Sequence, residues 1–189
     1  MPAGRARKLL SSKEFLFLIP VGFYFLWCAW DPYQWHFIDG ANLVIHEAGH
    51  LIFMPFGEYV MIAGGSLLQV IMPALFVFYF YRNEKPYSAA LVMLWAGESI
   101  LNVSVYAGDA IQMQLPLLGG QDSVHDWNYL LERAGLLSAT PQIAGLLRLG
   151  GTLVIIGGLC AAVMSAVNKA CAPQPTEPEP EERGFHSST

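Results

Sequence analysis

Five apolar stretches, each close to the length that crosses a bilayer and each bounded by a polar break, constrain this chain more than any other feature. They cover residues 15–30 (FLFLIPVGFYFLWCAW), 39–54, 66–81, 88–113 and 142–167. The chain is 54% hydrophobic and only 13% charged, against about 25% charged in an average soluble domain, and its mean hydropathy is +0.40. These runs predict an all-α fold: a polytopic membrane helix bundle of about five transmembrane helices, with the lipid bilayer as its first partner. Residues 1–13 read as a cytoplasmic basic segment and residues 14–168 as one integral membrane domain. Residues 169–189, rich in Pro, Glu and Ser, read as a disordered acidic tail. The net charge of -5 comes largely from Glu177, Glu179, Glu181 and Glu182, and no basic patch suggests nucleic acid. Cys28, Cys160 and Cys171 are scattered and imply neither a disulfide framework nor a metal pair.

Local signals place the boundaries. No small-x-small cleavage site follows the first run, so it reads as an uncleaved span with Trp27 and Trp30 at the interface. Asp39 can cap the second span, and Pro55 ends it. Residues 55–65 read as an interfacial or extended connection, residues 82–86 as a polar turn, and residues 114–140 as the one long loop, with a short helix near 128–137. Thr140-Pro141 reads as an N-cap and first helical residue. In the last span Gly157 with Ala161, and Gly158 with Ala162, have the small-xxx-small spacing of close helix packing. Arg5, Arg7, Lys8 and Lys13 put the N-terminal side in the cytoplasm by the positive-inside rule. Strict alternation of five spans then puts residues 55–65 and 114–140 in the cytoplasm and residues 31–38, the 82–86 turn and the tail outside, which strands Arg82 and Lys85 on the wrong side.

The second span carries His46-Glu47-Ala48-Gly49-His50. Two histidines four residues apart lie one above the other on a helix face and can reach one metal ion. Zinc held by three protein ligands keeps a position open for water and lowers the pKa of that water towards ~7. Glu47 is placed to take its proton as general base. Ionisable groups in a membrane helix cost ~2.5–3.5 kcal/mol each even on lenient scales, so three within five positions point to function. A third ligand is needed. The fourth span offers a polar stripe of Glu98, Asn102, Val105/Tyr106, Asp109 and Gln112. Asp109 fits best by depth: it and His50 each lie about four residues, ~6 Å, from the same end of parallel spans. Asp122, His125 and Asp126 in the long loop are rivals. His125-Asp126-Trp127 would fold back with Trp127 at the interface, giving the metal a ligand or serving as a second shell. Asn102 and Gln69 are candidates for hydrogen bonds to a ligand or substrate. His36 is expected on the opposite face, His186 in the tail, and Arg148 snorkelling to the cytoplasmic surface.

With HEAGH in a membrane helix, an intervening span, and Asn102 and Asp109 on the next, the chain resembles the site-2 protease family of intramembrane zinc metalloproteases. The Asn-x-x-Pro…Leu-Asp-Gly pattern of that family is only partly matched: Asn102 and Asp109 have its spacing, while Leu115-Pro116-Leu117-Leu118-Gly119-Gly120 echoes its Pro…Gly part downstream. Over residues 31–137 the chain also resembles a group of small bacterial inner-membrane proteins that share IHEAGH, GGSLLQ, the NVxVYAxDA helix and the LPLLGG…HDW loop. The resemblance implies a Zn2+ cofactor, peptide hydrolysis of a membrane protein or peptide substrate at a cytoplasmic-side site, and the bacterial inner membrane as location. From the residues alone, a membrane metal-ion transporter or sensor and a non-catalytic metal-binding protein remain open.

Overall fold

A computed structural model describes residues 13–116, 118 and 124–171. The expected basic segment before Lys13, Asp122, His186 and the tail beyond Cys171 lie outside the described residues. Among those described there are six α-helices, two single 3-10 turns and no strand: α1 (Lys13–Trp30), α2 (Phe37–Phe53), a 3-10 turn (Met54–Phe56), α3 (Glu58–Arg82), α4 (Pro86–Gly108), α5 (Asp126–Arg133), a 3-10 turn (Leu137–Ala139) and α6 (Thr140–Cys171). The all-α bundle expected from the sequence is present. Four helices, α1, α3, α4 and the α6 segment, are long and apolar enough to cross a membrane. The fifth expected span, α2, is only 17 residues long.

α4 is the central helix. Leu94 and Leu101 on α4, Ile155 on α6 and Phe25 on α1 are buried together. α4 and α6 approach backbone to backbone at Gly97 and Gly151: a Cβ on Gly97 would sit 2.8 Å from the Gly151 carbonyl oxygen, and one on Gly151 would sit 2.7 Å from that of Gly97. Gly158 and Ala162 continue this contact against Leu94 and Ala90, whereas Gly157 only skirts Met93. Close packing through small residues is therefore real, with one of the two expected pairs on the seam and Gly151 added to it.

The ends of the helices fix the topology. At one end the start of α1, the α3–α4 turn and the end of α6 meet: the Tyr87 hydroxyl donates to the Glu14 carbonyl oxygen at 2.5 Å, and Lys169 bonds the Glu14 carboxylate. At the other end Arg148 of α6 stacks over Tyr33 just beyond α1, and Arg133 of α5 lies 3.8 Å from Glu58 at the start of α3. So α1 and α4 run one way, and α3 and α6 the other.

α2 breaks the expected alternation. Its N-terminus does not lie at a bundle end: the Ile38 N–H donates to the Tyr24 hydroxyl at 3.0 Å, six residues short of the end of α1, hence ~9 Å inside it. A helix start buried there leaves N–H groups without water, and the sequence supplies acceptors. Tyr24 takes one, and Asp39, at the third helical position, takes the His36 N–H at 2.6 Å. Residues 31–36 thus fold back into the bundle, and α2 descends from mid-depth to the same end that α1 reaches. His36, expected on an opposite face, is instead buried with its ring edge-on to Trp27.

Other boundaries shift for local reasons. α2 stops before Pro55 as expected, but residues 55–65 are not an extended connection: Gly57, at φ +95°, turns the chain within one residue and α3 starts at Glu58. Thr140 lies inside α6 and its hydroxyl donates back to the Leu137 carbonyl at 2.7 Å, so it does not act as the N-cap.

Candidate metal centre

α2 and α3 form a tight antiparallel hairpin, and its tightness places the histidines. A Cβ on Gly49 would lie 2.2 Å from the Gly64 carbonyl oxygen, so the glycine of HEAGH is where the two backbones touch. His46, about one turn before Gly49, and His50, the next residue after it, stack edge to face with ring centroids 4.8 Å apart. Both Nε2 atoms point at Gly65 of α3: a Cβ there would meet them at 2.5 and 2.7 Å. In the sequence Gly64-Gly65 shows only as two adjacent glycines in the helix that follows HEAGH.

The third member comes from α5. His125 caps this helix, its Nδ1 accepting the Asn128 N–H at 3.2 Å while its Nε2 faces the Asp109 carboxylate at 3.3 Å. The Asp126 N–H donates to the Tyr106 hydroxyl at 3.1 Å, and the Trp127 indole N–H donates to Ser66 Oγ at 3.1 Å. Trp127 therefore docks α5 on α3, not on the bilayer interface. Held this way, Asp126 puts one oxygen, Oδ2, 2.9 Å from His46 Nε2 and 3.2 Å from His50 Nε2. His46, His50 and Asp126 offer ligand atoms within 4.8 Å of one another, the one such group among the described residues.

Asp109, the leading sequence candidate for third ligand, is placed elsewhere. α4 ends at Gly108, so Asp109 is the residue that caps it and not a helical position four residues inside. Its carboxylate accepts the N–H groups of Gln114 and Leu115 at 3.0 and 2.8 Å besides facing His125. Asp109 and His125 hold the loop that delivers Asp126. Of the three rivals, the one on the first turn of α5 reaches the histidines. Burial pushes the Asp126 carboxyl up, but hydrogen bonding to His46 and His50 outweighs this and holds it below the usual carboxylate range.

The other ring nitrogens are spoken for. His50 Nδ1 donates to the Met61 carbonyl oxygen at 3.0 Å. His46 Nδ1 faces Gln69 Oε1 at 3.1 Å, Gln69 Nε2 donates to Asn102 Oδ1 at 2.7 Å, and Asn102 Nδ2 donates to Asp39 Oδ1 at 2.8 Å. A carboxylate accepts and an amide has one accepting and one donating end, so Asp39 sets Asn102, Asn102 sets Gln69, and Gln69 presents oxygen to His46. Nδ1 of each imidazole is thus a donor, and each Nε2 shares a proton or a metal ion with Asp126. Asn102 and Gln69 thus lie behind His46 and fix the orientation of its ring. Asp39 stands at the head of the chain, where its sequence reading was only a helix cap.

Glu47 is exposed on the neighbouring face of α2 and lines a cavity of about 340 Å³ with His46, Gln69, Asn102, Asp39 and Tyr106. Residues Pro32 to Trp35 form one wall and Leu115, Pro116 and Leu118 another. Deeper in the bundle Glu98 is buried and accepts from Asn42 Nδ2 at 2.7 Å, while the Asn42 oxygen takes the Trp95 indole and Ser99 hydroxyl. The polar stripe of α4 therefore faces α2 at Glu98 and Asn102, but Gln112 is exposed beyond the helix end.

The donor set fits a metal ion. Two imidazole nitrogens and a carboxylate oxygen converge with both Nδ1 atoms committed elsewhere, a group that could hold a metal ion, and Gly65 leaves open the space a Cβ would fill. No protein-family model matches the chain, and neither a curated protein nor a solved structure matches it at a significant level.

Proposed function

We propose that this chain is a zinc-dependent intramembrane peptidase of a bacterial inner membrane, with His46, His50 and Asp126 as ligands and Glu47 as general base. The observation that carries the reading is the convergence of the three ligand atoms beside a cavity lined by Glu47. Bound there, zinc would supply Lewis-acid polarisation and an acidified water. Every other role belongs to the chain itself. Gln69 and the Met61 carbonyl orient the two imidazoles, Asp126 brings negative charge from a separate helix, and Glu47 accepts and returns a proton at its carboxylate. The non-helical wall of residues 32–35 and the aromatic ring of Tyr106 would flank an extended peptide segment. Hydrolysis is supported by Glu47 standing between two metal-ready histidines. Peptide as the substrate is supported by the resemblance to the site-2 protease family.

The buried polar run from the metal group through Gln69 and Asn102 to Asp39, with Glu98 and Asn42 beside it, favours a second reading, a metal-ion transporter. Glu47→Gln separates the two. For the peptidase, the purified variant keeps stoichiometric zinc and loses cleavage of a membrane-helix reporter by a factor of 10² or more. Wild-type cleavage by Glu47→Gln, or wild-type protein without stoichiometric zinc, overturns the peptidase. A changed metal flux without proteolysis in either form establishes the transporter.

A further inference from the structure

We propose that the metal centre opens to the extracytoplasmic side of the membrane and that the peptide it takes is the extracytoplasmic end of a membrane helix or a chain arriving from that side. The inference rests on the metal reading above and on taking α1, α3, α4 and α6 as spans. The sequence alone, with five alternating spans, puts the site on the cytoplasmic side.

The folded-back start of α2 changes the count. Because α1 and α2 both run towards the same end, the four long helices alternate by themselves, and α2 with the 3-10 turn is an insertion at the end where α1 stops and α3 begins. The start of α1, the α3–α4 turn and the end of α6 then share one end. That end carries Lys13, Arg82, Lys85 and Lys169, four of the six described cations, and Arg5, Arg7 and Lys8 immediately precede it in the sequence. The site end carries only Arg133, beside Glu58 and Tyr129, and Arg148, over Tyr33. Lys and Arg within short segments flanking spans collect on the cytoplasmic side, so the basic end is cytoplasmic. Arg82 and Lys85, misplaced under five spans, fall on the correct side under four.

The half-depth insertion fits the same orientation. Non-helical backbone at membrane depth is tolerated where it lines a wet cavity, and residues 32–35 line the cavity that reaches Glu47 and His46. Exposed Trp30 lies at this end, as Tyr79 and Tyr81 do at the other, marking two interfaces. α1, at 18 residues and ~1.5 Å per residue, is the length that joins them.

The test uses the full chain with Cys28→Ala, Cys160→Ser and Cys171→Ser as background, expressed in bacterial cells. Single cysteines are introduced as Glu132→Cys on the exposed face of α5, Leu136→Cys as a second position at that end, and Asn83→Cys in the α3–α4 turn. Intact spheroplasts are treated with a membrane-impermeant maleimide. Glu132→Cys and Leu136→Cys should label at once, and Asn83→Cys only after lysis. The reverse pattern, or labelling of both ends from one side, overturns the orientation. Zinc content of the same proteins in detergent is read separately: bound zinc with reversed labelling sinks the orientation alone, and the expected labelling without zinc sinks the metal reading alone.

Discussion

The Gln69 side-chain oxygen faces Nδ1 of His46 at 3.1 Å, and this contact between α3 and α2 decides which nitrogen of His46 is left for a metal. With Nδ1–H donated to Gln69, Nε2 is the nitrogen presented towards Asp126 and His50. Gln69→Leu removes the acceptor and leaves Asn102 Oδ1 without its donor. Zinc affinity, measured by chelator competition on purified protein, should fall about 10- to 100-fold, as when other partners behind metal ligands are lost. Gln69→Glu keeps an accepting oxygen at His46 and should retain far more affinity than Gln69→Leu. Equal loss in both variants would show that Gln69 is there for packing.

Asp126 and Asp109 should behave oppositely. Asp126→Ala removes the carboxylate nearest both Nε2 atoms, and stoichiometric zinc should be lost. Asp109→Ala removes a clamp on Gln114, Leu115 and His125, so zinc should stay bound while α5 is held less firmly. The thermal shift on adding zinc reads both: a ligand at 100 times its Kd adds ~2.7 kcal/mol, a shift that Asp109→Ala should keep and Asp126→Ala should lose. Loss in Asp109→Ala and retention in Asp126→Ala would restore the ligand assignment favoured by the sequence.

These two aspartates show where the sequence was legible. The helical class, the pairing of His46 with His50 and the candidacy of Asn102, Gln69 and Asp126 follow from hydropathy, helical period and the cost of polar groups in a membrane. Choosing between Asp109 and Asp126 needed the end of α4. α4 stops at Gly108 although its apolar pattern runs on to residue 113, which turns Asp109 from a helical position that would face α2 into a capping position that faces the loop, and helix ends are where sequence patterns are weakest. The span count was illegible for a related reason. Residues 37–53 are apolar enough to resemble a span, and only contacts such as Ile38 with Tyr24 place their start inside the bundle. Gly65 was missed because its role is to have no side chain.

Trp127 fixes α5 through Ser66, and this contact separates docking from ligation. Trp127→Phe keeps an aromatic ring but loses the indole N–H, whose hydrogen bond is worth about 1 kcal/mol, and some packing volume with it. Zinc affinity should fall by no more than about tenfold, with the stoichiometry unchanged. Ser66→Ala removes the same bond from the other side and should cost no more, and the double variant should be no worse than Trp127→Phe alone, because only one interaction is shared. Additive losses would place the effect of Trp127 elsewhere.

The glycines of the α2–α3 hairpin should separate folding from metal binding. Gly49→Ala sets a methyl 2.2 Å from the Gly64 carbonyl oxygen, where backbone cannot yield, so the hairpin must open. Overpacking of this kind costs about 1–3 kcal/mol or more and should lower the melting temperature in detergent whether or not zinc is present. Gly65→Ala meets the far ends of two imidazoles at 2.5 and 2.7 Å, and rings can swing aside where backbone cannot. Its stability without zinc should therefore change less than that of Gly49→Ala, while its zinc affinity should drop more than tenfold because the displaced Nε2 atoms no longer converge with Asp126. Gly40→Ala, on the same α2 with nothing within 4 Å of its new methyl, should leave zinc binding unchanged and stabilise α2 by about 0.5–1 kcal/mol, the helical preference of alanine over glycine. If Gly65→Ala bound zinc as tightly as Gly40→Ala, the space beside the two histidines would not be where the metal sits.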